Sequence, residues 1–397
     1  RSHVAVCAPA TNPRGVSFTM KVMHVINSLG VGGAEKLVVE LATRQVRLGL
    51  QVSVVSLTKH VPLARNLDTA KVQLHTLHFT QSLLSIDSVR ELYRPLSSLV
   101  DTFRPDVLHS HLYRADVACS FPLKSKPVRI RTLHGIDPWW HETQRLRWRI
   151  KTWIDGFLGR LSHCHYVAVS DSVREEASKI FGLVGDRIKV IPNGIDTSTF
   201  VPRGPIEAPL TSRIRIIQVG RFYHEKGHDI SIKAVKWLVD HGFDVHITFV
   251  GDGPLRETLQ SLVEELNLAD RVDFLGVRHD VNQLLRSADI AWMPSRVEGF
   301  GIAAIEALAA GVPLVAADVS GLRYIASFGD GPVLVPPEDP VQLARATIDV
   351  ISSPEMYAAK SRSGRILVER HFSVEACVAK YVEEYRRLLK ERRSGWK

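Results

Sequence analysis

Glu298 lies in a polar, glycine-bearing turn (Ser295 to Gly301), and Glu306 lies about one turn into the helix that the next residues predict. A helix N-terminus offers unpaired amides and the positive end of a dipole, which favour a phosphate or a sugar oxygen. Carboxylates beside such an end would repel a bare phosphate. Ionised carboxylates are pure hydrogen-bond acceptors, so the pair fits a ligand that joins an anion to neighbouring hydroxyls, as a nucleotide sugar does. Arg221 and Lys226 sit between Gly220 and Gly227 after another strand. Two such cations can neutralise a diphosphate leaving group without a metal. His134 ends a strand just before Gly135, at the carboxyl edge where open α/β sheets bind ligands. Gly30, Gly32 and Gly33 let the backbone approach a ligand closely after the first strand. His109 and His111 have the look of a metal pair, but with no carboxylate near them they read as neutral strand-end packing.

The elements that must carry these groups are legible around them. DIAWMP predicts a strand ended by Pro294, the EGFG turn follows, and a helix of small residues runs until Gly311 and Pro313 stop it. LVAA then resumes as a strand, so the unit is strand, loop, helix, strand, as in a parallel sheet. The same grammar runs through the chain. VMHVIN, QVSVVSL, PDVLHSH, VRIRTLHG and HYVAVS predict strands of a first domain over 20–200, with KLVVELATRQVRLG as its first helix. IRIIQVG, VHITFVGDGP, RVDFLG and DIAWMP predict a second doubly wound domain over 213–372, with HDISIKAVKWLVD as a helix. The proline-rich stretch 201–212 reads as the linker, and 373–397 as a final helix. Ser172 and Glu175 form a candidate capping box.

Glu298-Gly-Phe-Gly-Ile-Ala-Ala-Ile-Glu306, with AD and PS before it and EALAAGVP after it, resembles the Glu-x7-Glu signature of retaining glycosyltransferases of family four. The resemblance covers about Met20 to Lys390. It implies the α/β architecture called GT-B: two Rossmann-like doubly wound domains facing a central cleft, with the last helix crossing back to the first domain. The donor would bind mainly to the second domain and the acceptor to the first. In that family the GR…EKG element, here Gly220, Arg221, Lys226 and Gly227, holds the donor pyrophosphate. Glu298 would contact hydroxyls of the transferred sugar and Glu306 those of the ribose. Gly299, Phe300 and Gly301 complete the donor loop, Gly32 and Gly33 border the cleft, and His134 faces donor sugar and acceptor. The implied route is a front-face transfer in which the phosphate receives the acceptor proton. Its catalytic set is Arg221, Lys226, Glu298 and His134. No metal is implied, and no cofactor beyond the UDP- or GDP-linked sugar itself. One departure stands after the motif. Many relatives read Gly-Gly and then an acid, whereas this chain has Ser320-Gly321-Leu322-Arg323-Tyr324, which removes that acid and leaves both signature acids untouched.

The 397 residues, 45% hydrophobic and 23% charged, suit two soluble domains. No uninterrupted apolar run reaches the length of a membrane span. Cys7, Cys119, Cys164 and Cys377 are far apart with no CxxC spacing, which predicts free thiols and a cytoplasmic location. The first 19 residues lack a basic region followed by an apolar stretch, so they read as a loose extension, not a signal peptide. A formal charge of +9 admits phosphates, nucleic acid or anionic lipid as partners. No basic and aromatic motif of the RNA-binding kind is present, so nucleic acid is not expected. The segment 139–160 carries Trp139, Trp140, Trp148 and Trp153 with Arg145, Arg147, Arg149, Lys151 and Arg160. Leu146, Ile150, Trp153, Phe157 and Leu161, with Ile154 and Leu158, mark one face of a helix there. Two readings stay open: that face packs into the core beneath solvated arginines, or the segment attaches peripherally to the anionic inner face of a membrane.

The expected activity is transfer of a sugar to a glycan or lipid-linked acceptor, as in envelope polysaccharide or glycolipid synthesis. One alternative is a GT-B isomerase of nucleotide sugars, told apart by donor turnover without acceptor. The other is a non-catalytic basic adaptor for membrane or nucleic acid, told apart by loss of donor binding.

Overall fold

In the computed structural model, residues 19–394 are described except 31, 80–85, 136–145, 184 and 203–212, and of residues 86, 146–149 and 151 the backbone alone. The N-terminal extension, most of the expected linker, and Trp139, Trp140 and Arg145 lie outside the described residues.

Strands β1 (Lys21–Ile26), β2 (Gln51–Ser56), β3 (Gln73–Thr76), β4 (Val107–His111), β5 (Val128–Leu133), β6 (His165–Ala168) and β7 (Ile188–Val190) form a seven-stranded sheet in the order β3-β2-β1-β4-β5-β6-β7. Strands β8 (Ile214–Val219), β9 (Val245–Val250), β10 (Val272–Phe274), β11 (Ile290–Met293), β12 (Leu314–Ala317) and β13 (Val333–Val335) form a six-stranded sheet in the order β10-β9-β8-β11-β12-β13. In the second sheet every recorded pairing is parallel, with Ile290 opposite Ile216 and Ala291 opposite both Ile217 and Leu314. Parallel strands need crossover helices on both faces, so their residues are buried on both sides and read as continuous apolar runs. Both orders reverse direction once, between β1 and β4 and between β8 and β11. This is the doubly wound arrangement, in which ligands bind beyond the carboxyl ends of the strands at the reversal.

Two compact units divide the chain. One gathers the residues up to Thr132 with Trp153–Tyr166 and Val382–Lys397; the other gathers Leu133–Thr152 with Val167–Tyr381. In the first, Met23, Val25, Val55 and Leu108 of the sheet pack against Leu92, Leu96 and Val100 of the Ile86–Phe103 helix. In the second, Ile216, Ile247, Phe249, Ile290 and Trp292 form the centre of the core. The Trp292 indole donates to Thr347 at 2.7 Å, which lets a large aromatic sit fully buried. Asp289, ahead of β11, accepts two bonds from the Arg215 guanidinium, at 2.9 and 2.6 Å, and so aligns β11 beside β8.

Two local expectations shift. The first helix starts at Gly33, not at Lys36, because extended Gly32 caps it and Glu35 in its first turn complements the dipole. The helix after β6 is capped by Ser170, whose hydroxyl accepts from the Val173 amide at 3.3 Å. Ser172 is already helical, so the capping box expected at Ser172 and Glu175 does not form.

Candidate active site

The site grows from the ends of β8 and β11, neighbours at the reversal of the second sheet. Beyond β8, the chain passes Gly220 into a tight turn anchored by Phe222, which is fully buried. The Phe222 amide donates to the Asp252 carbonyl at 3.0 Å, and a side chain at Gly253 would come within 2.6 Å of the Phe222 carbonyl oxygen. That close packing fixes where Arg221 emerges. Its guanidinium lies over the Tyr223 ring, 5.0 Å from the centroid, an exposed cation steadied by an aromatic face.

A short 3-10 turn, His224–Lys226, follows. Its last carbonyl accepts from Gln218 Nε2 at 2.8 Å, and Gln218 Oε1 accepts in turn from the Ser231 hydroxyl at 2.6 Å. Gly227 then takes φ +66° and opens the His228–Asp240 helix. Any side chain there would collide with the Pro294 carbonyl, so glycine is demanded twice over. His228 is buried with no hydrogen bond to either ring nitrogen among the described residues. It packs edge-on to Phe222 and Phe249. Burial, helped by the Lys226 charge, pushes its pKa down to about 3, so it is a neutral spacer beneath the turn.

Beyond β11 runs the loop that carries Glu298. Lys226 Nζ meets Glu298 Oε2 at 2.6 Å, with side chains only 19% and 11% exposed. The two groups that the sequence placed on separate motifs are thus brought into direct contact. The contact depends on a clamp that sequence reasoning missed. Arg296 donates to both carboxylate oxygens of Asp229, at 2.9 and 2.8 Å, and to the His224 carbonyl at 2.9 Å. The Arg296 amide also donates to the Glu225 carbonyl at 2.8 Å. One residue therefore ties the Glu298 loop to the Lys226 turn. Its position two residues before Glu298 was the available signal.

The rest of the loop is held from below. The Glu298 carbonyl accepts from the Gly321 amide at 3.0 Å and from the Ser320 hydroxyl at 3.4 Å. A side chain at Gly321 would come within 2.5 Å of that oxygen. Ser320 and Gly321 thus support the loop. The Phe300 ring is buried and packs edge-on to Phe372, with centroids 5.5 Å apart, which makes it an anchor. Gly301 caps the Ile302–Ala309 helix at φ 103°, and Glu306 lies buried within that helix.

His134 and Gly135 belong to the same compact unit as Glu298. A side chain at Gly299 would come within 2.5 Å of the Gly135 α-carbon and 3.3 Å of the His134 carbonyl oxygen, so the two turns abut. The Gly299 carbonyl also accepts from the Ser170 hydroxyl at 2.7 Å. Burial pushes the His134 pKa down to about 4, which keeps its imidazole neutral near pH 7. Gly32 and Gly33 lie in the other compact unit, at the start of its first helix.

His109 and His111 gather with His24 into a buried cluster whose ligand atoms lie within 4.8 Å of one another. His24 Nε2 donates to Gln45 Oε1 at 2.9 Å, which leaves its Nδ1 to accept from His111 Nε2 at 3.1 Å. His109 bonds the Tyr385 hydroxyl at 2.6 Å and the Thr132 hydroxyl at 2.7 Å. Those bonds already engage the facing nitrogens, so the cluster reads as a polar core network.

Comparison with known proteins bears on the same residues. The family model "Glycosyltransferase Family 4" matches residues 31–199, and "Glycosyl transferases group 1" matches 206–366. An uncharacterised glycosyltransferase of Methanocaldococcus jannaschii is 32% identical over 207 residues, 49% of this chain and 53% of that protein. Glycogen synthase of Mycobacterium tuberculosis is 29% identical over 279 residues, 66% of this chain and 64% of that protein. The chain thus spans between half and two thirds of the length of these relatives. Among solved structures, HepE of Anabaena in complex with UDP and glucose superimposes with a TM-score of 0.77 at 20% identity, covering 92% of this chain and 99% of that one.

Proposed function

The chain belongs to the group 1 glycosyltransferases of family four, and from that premise we propose that it moves a sugar from a UDP- or GDP-linked donor, with retention at the anomeric carbon, to a glycan or lipid-linked acceptor. The observation that carries the reading is the 2.6 Å contact of Lys226 with Glu298 at the reversal of a parallel sheet. A cation and a carboxylate side by side match a ligand in which a diphosphate adjoins sugar hydroxyls.

In this reading Lys226 and Arg221 stabilise the charge that builds on the departing diphosphate, assisted by the N-terminus of the His228–Asp240 helix. Glu298 accepts hydrogen bonds from the transferred sugar and Glu306 from the ribose. The loop residues Gly299, Phe300 and Gly301 shape the donor seat, and Gly32 and Gly33 are assigned to donor binding as well. Neutral His134 orients donor sugar and acceptor. The acceptor proton passes to the diphosphate as the glycosidic bond to phosphate breaks and the new one forms on the same face. The expected setting is the cytoplasm, with envelope polysaccharide or glycolipid as the product class.

A thermal-shift panel of nucleotide sugars tests the reading, because a ligand at 100 times its dissociation constant adds about 2.7 kcal/mol of stability. A shift with UDP- or GDP-sugars, followed by an NMR product with retained anomeric configuration, is the expected result. Donor turnover without any acceptor would point instead to an isomerase, and no shift with any donor would refute the proposal.

A further inference from the structure

The Leu146–Leu161 helix turns part of its apolar side outward. Residues 150, 153, 157 and 161 recur at the spacing by which a helix ordinarily packs on a core. Yet Ile150, Trp153, Phe157 and Leu161 are all exposed, Trp153 to 63% and Leu161 to 61%. Trp153 and Phe157 stack with ring centroids 5.1 Å apart and planes within 7°, forming one flat aromatic surface. The inward side carries Asp155, Gly156 and Gly159, with Ile154 and Leu158 half-buried. Asp155 is buried in an ion pair with Arg131, which also reaches Asp116 at 3.4 Å. Gly156 and Gly159 are buried beside it, and a side chain at Gly159 would run into the Tyr166 hydroxyl. An ion cluster and two glycines hold the helix in place.

We propose that this stripe docks onto the surface of an anionic lipid bilayer. Charge chooses the occupant. The helix sequence contains Arg147, Arg149, Lys151 and Arg160 and a single acid, Asp155, and that acid is spent internally on Arg131. A second copy of the chain would bring a helix of the same sign against it, within a molecule of formal charge +9, and like charges across an interface oppose pairing. Anionic headgroups attract a helix of that net charge while the acyl boundary takes up the indole and phenyl rings, as in an interfacial amphipathic helix. No helix among the described residues is long and apolar enough to cross a membrane, so the attachment is to the surface. The proposal deepens the reading of a lipid-linked acceptor by placing the chain where such an acceptor resides.

The test is sedimentation of the full chain with vesicles of phosphatidylcholine alone and of equimolar phosphatidylcholine and phosphatidylglycerol, at low and high salt. The wild type is expected to pellet with the anionic vesicles and to be released by salt, since each engaged basic residue is worth roughly fivefold in binding. Trp153→Ser with Phe157→Ser should weaken binding about tenfold or more, whereas Trp153→Phe with Phe157→Leu should largely retain it. Thermal shift by UDP and GDP, with light scattering for mass, accompanies every arm. Protein that stays in the supernatant, pellets equally with neutral vesicles, or binds unchanged in the serine variant overturns the proposal. A dimer that the serine variant dissociates, with no vesicle binding, assigns the face to a second copy instead. A wild type that binds no vesicles but keeps its nucleotide shift refutes docking and leaves the transferase reading standing. The converse pattern refutes only the latter.

Discussion

Replacing Arg296 breaks the clamp between the two halves of the proposed donor site. Arg296→Met removes both bonds to Asp229 and the bond to the His224 carbonyl, but keeps the backbone bond to Glu225. A hydrogen bond to a charged group is worth about 1.5–3 kcal/mol. Asp229 retains 30% side-chain exposure, so solvent takes back part of that, and the pair is worth about 1–2 kcal/mol. A domain of this size should lose roughly 2–8 °C of melting temperature. Catalysis should suffer more, because the clamp sets the 2.6 Å contact of Lys226 with Glu298, and a misplacement of about 1 Å can cost on the order of a hundredfold. The expected kcat/KM is therefore down about 10- to 100-fold in a protein that still folds. Asp229→Asn should behave alike, the double variant should be no worse than either single one, and Arg296→Lys should recover only part, since it lacks the planar fork. Kinetics and melting curves on all four variants decide the matter. A kcat/KM within twofold of wild type in a variant whose melting temperature has dropped would refute the positioning role, as would additive losses in the double variant. Burial opposes the ionised form of Asp229, yet Arg296, with Lys233 beyond it, outweighs that and holds the carboxyl below its ordinary value. The clamp is thus intact through the neutral range and is lost only as pH falls through that lowered value.

Three further outcomes are expected. Lys226→Ala and Arg221→Ala should each lower turnover roughly 10²- to 10³-fold, the scale of losing one charge-stabilising donor; near-normal rates in both would sink the diphosphate assignment. By calorimetry, Glu306→Gln should weaken binding of the free nucleoside diphosphate, while Glu298→Gln should spare it and impair binding of the intact donor; the reverse pattern would exchange the two roles. Acid should destabilise the fold from pH 6.5 downward: burial lowers the pKa of His24 and of His134 from 6.5 to about 4, so the unfolded chain takes up protons first and stability falls as pH drops from 6.5 toward 4. Urea midpoints that stay flat across that window would contradict the burial of these rings.

The sequence by itself determined much of what is local. Strand and helix identities, the Gly311 and Pro313 stop, and the placing of Glu298 on a loop and Glu306 on the following helix all follow from hydrophobic period and backbone punctuation, which act over a few neighbouring residues. Tertiary structure decided what joins distant segments. Lys226 and Glu298 are 72 residues apart and Asp229 and Arg296 are 67 apart; each pair meets because β8 lies beside β11 in the sheet, and nothing in the letters alone imposes that adjacency. The Leu146–Leu161 helix marks the same boundary most plainly. Its period defines an apolar face, but a period carries no direction, and it was the buried pairing of Arg131 with Asp155 and the close approach allowed by Gly159 that turned Trp153 and Phe157 outward.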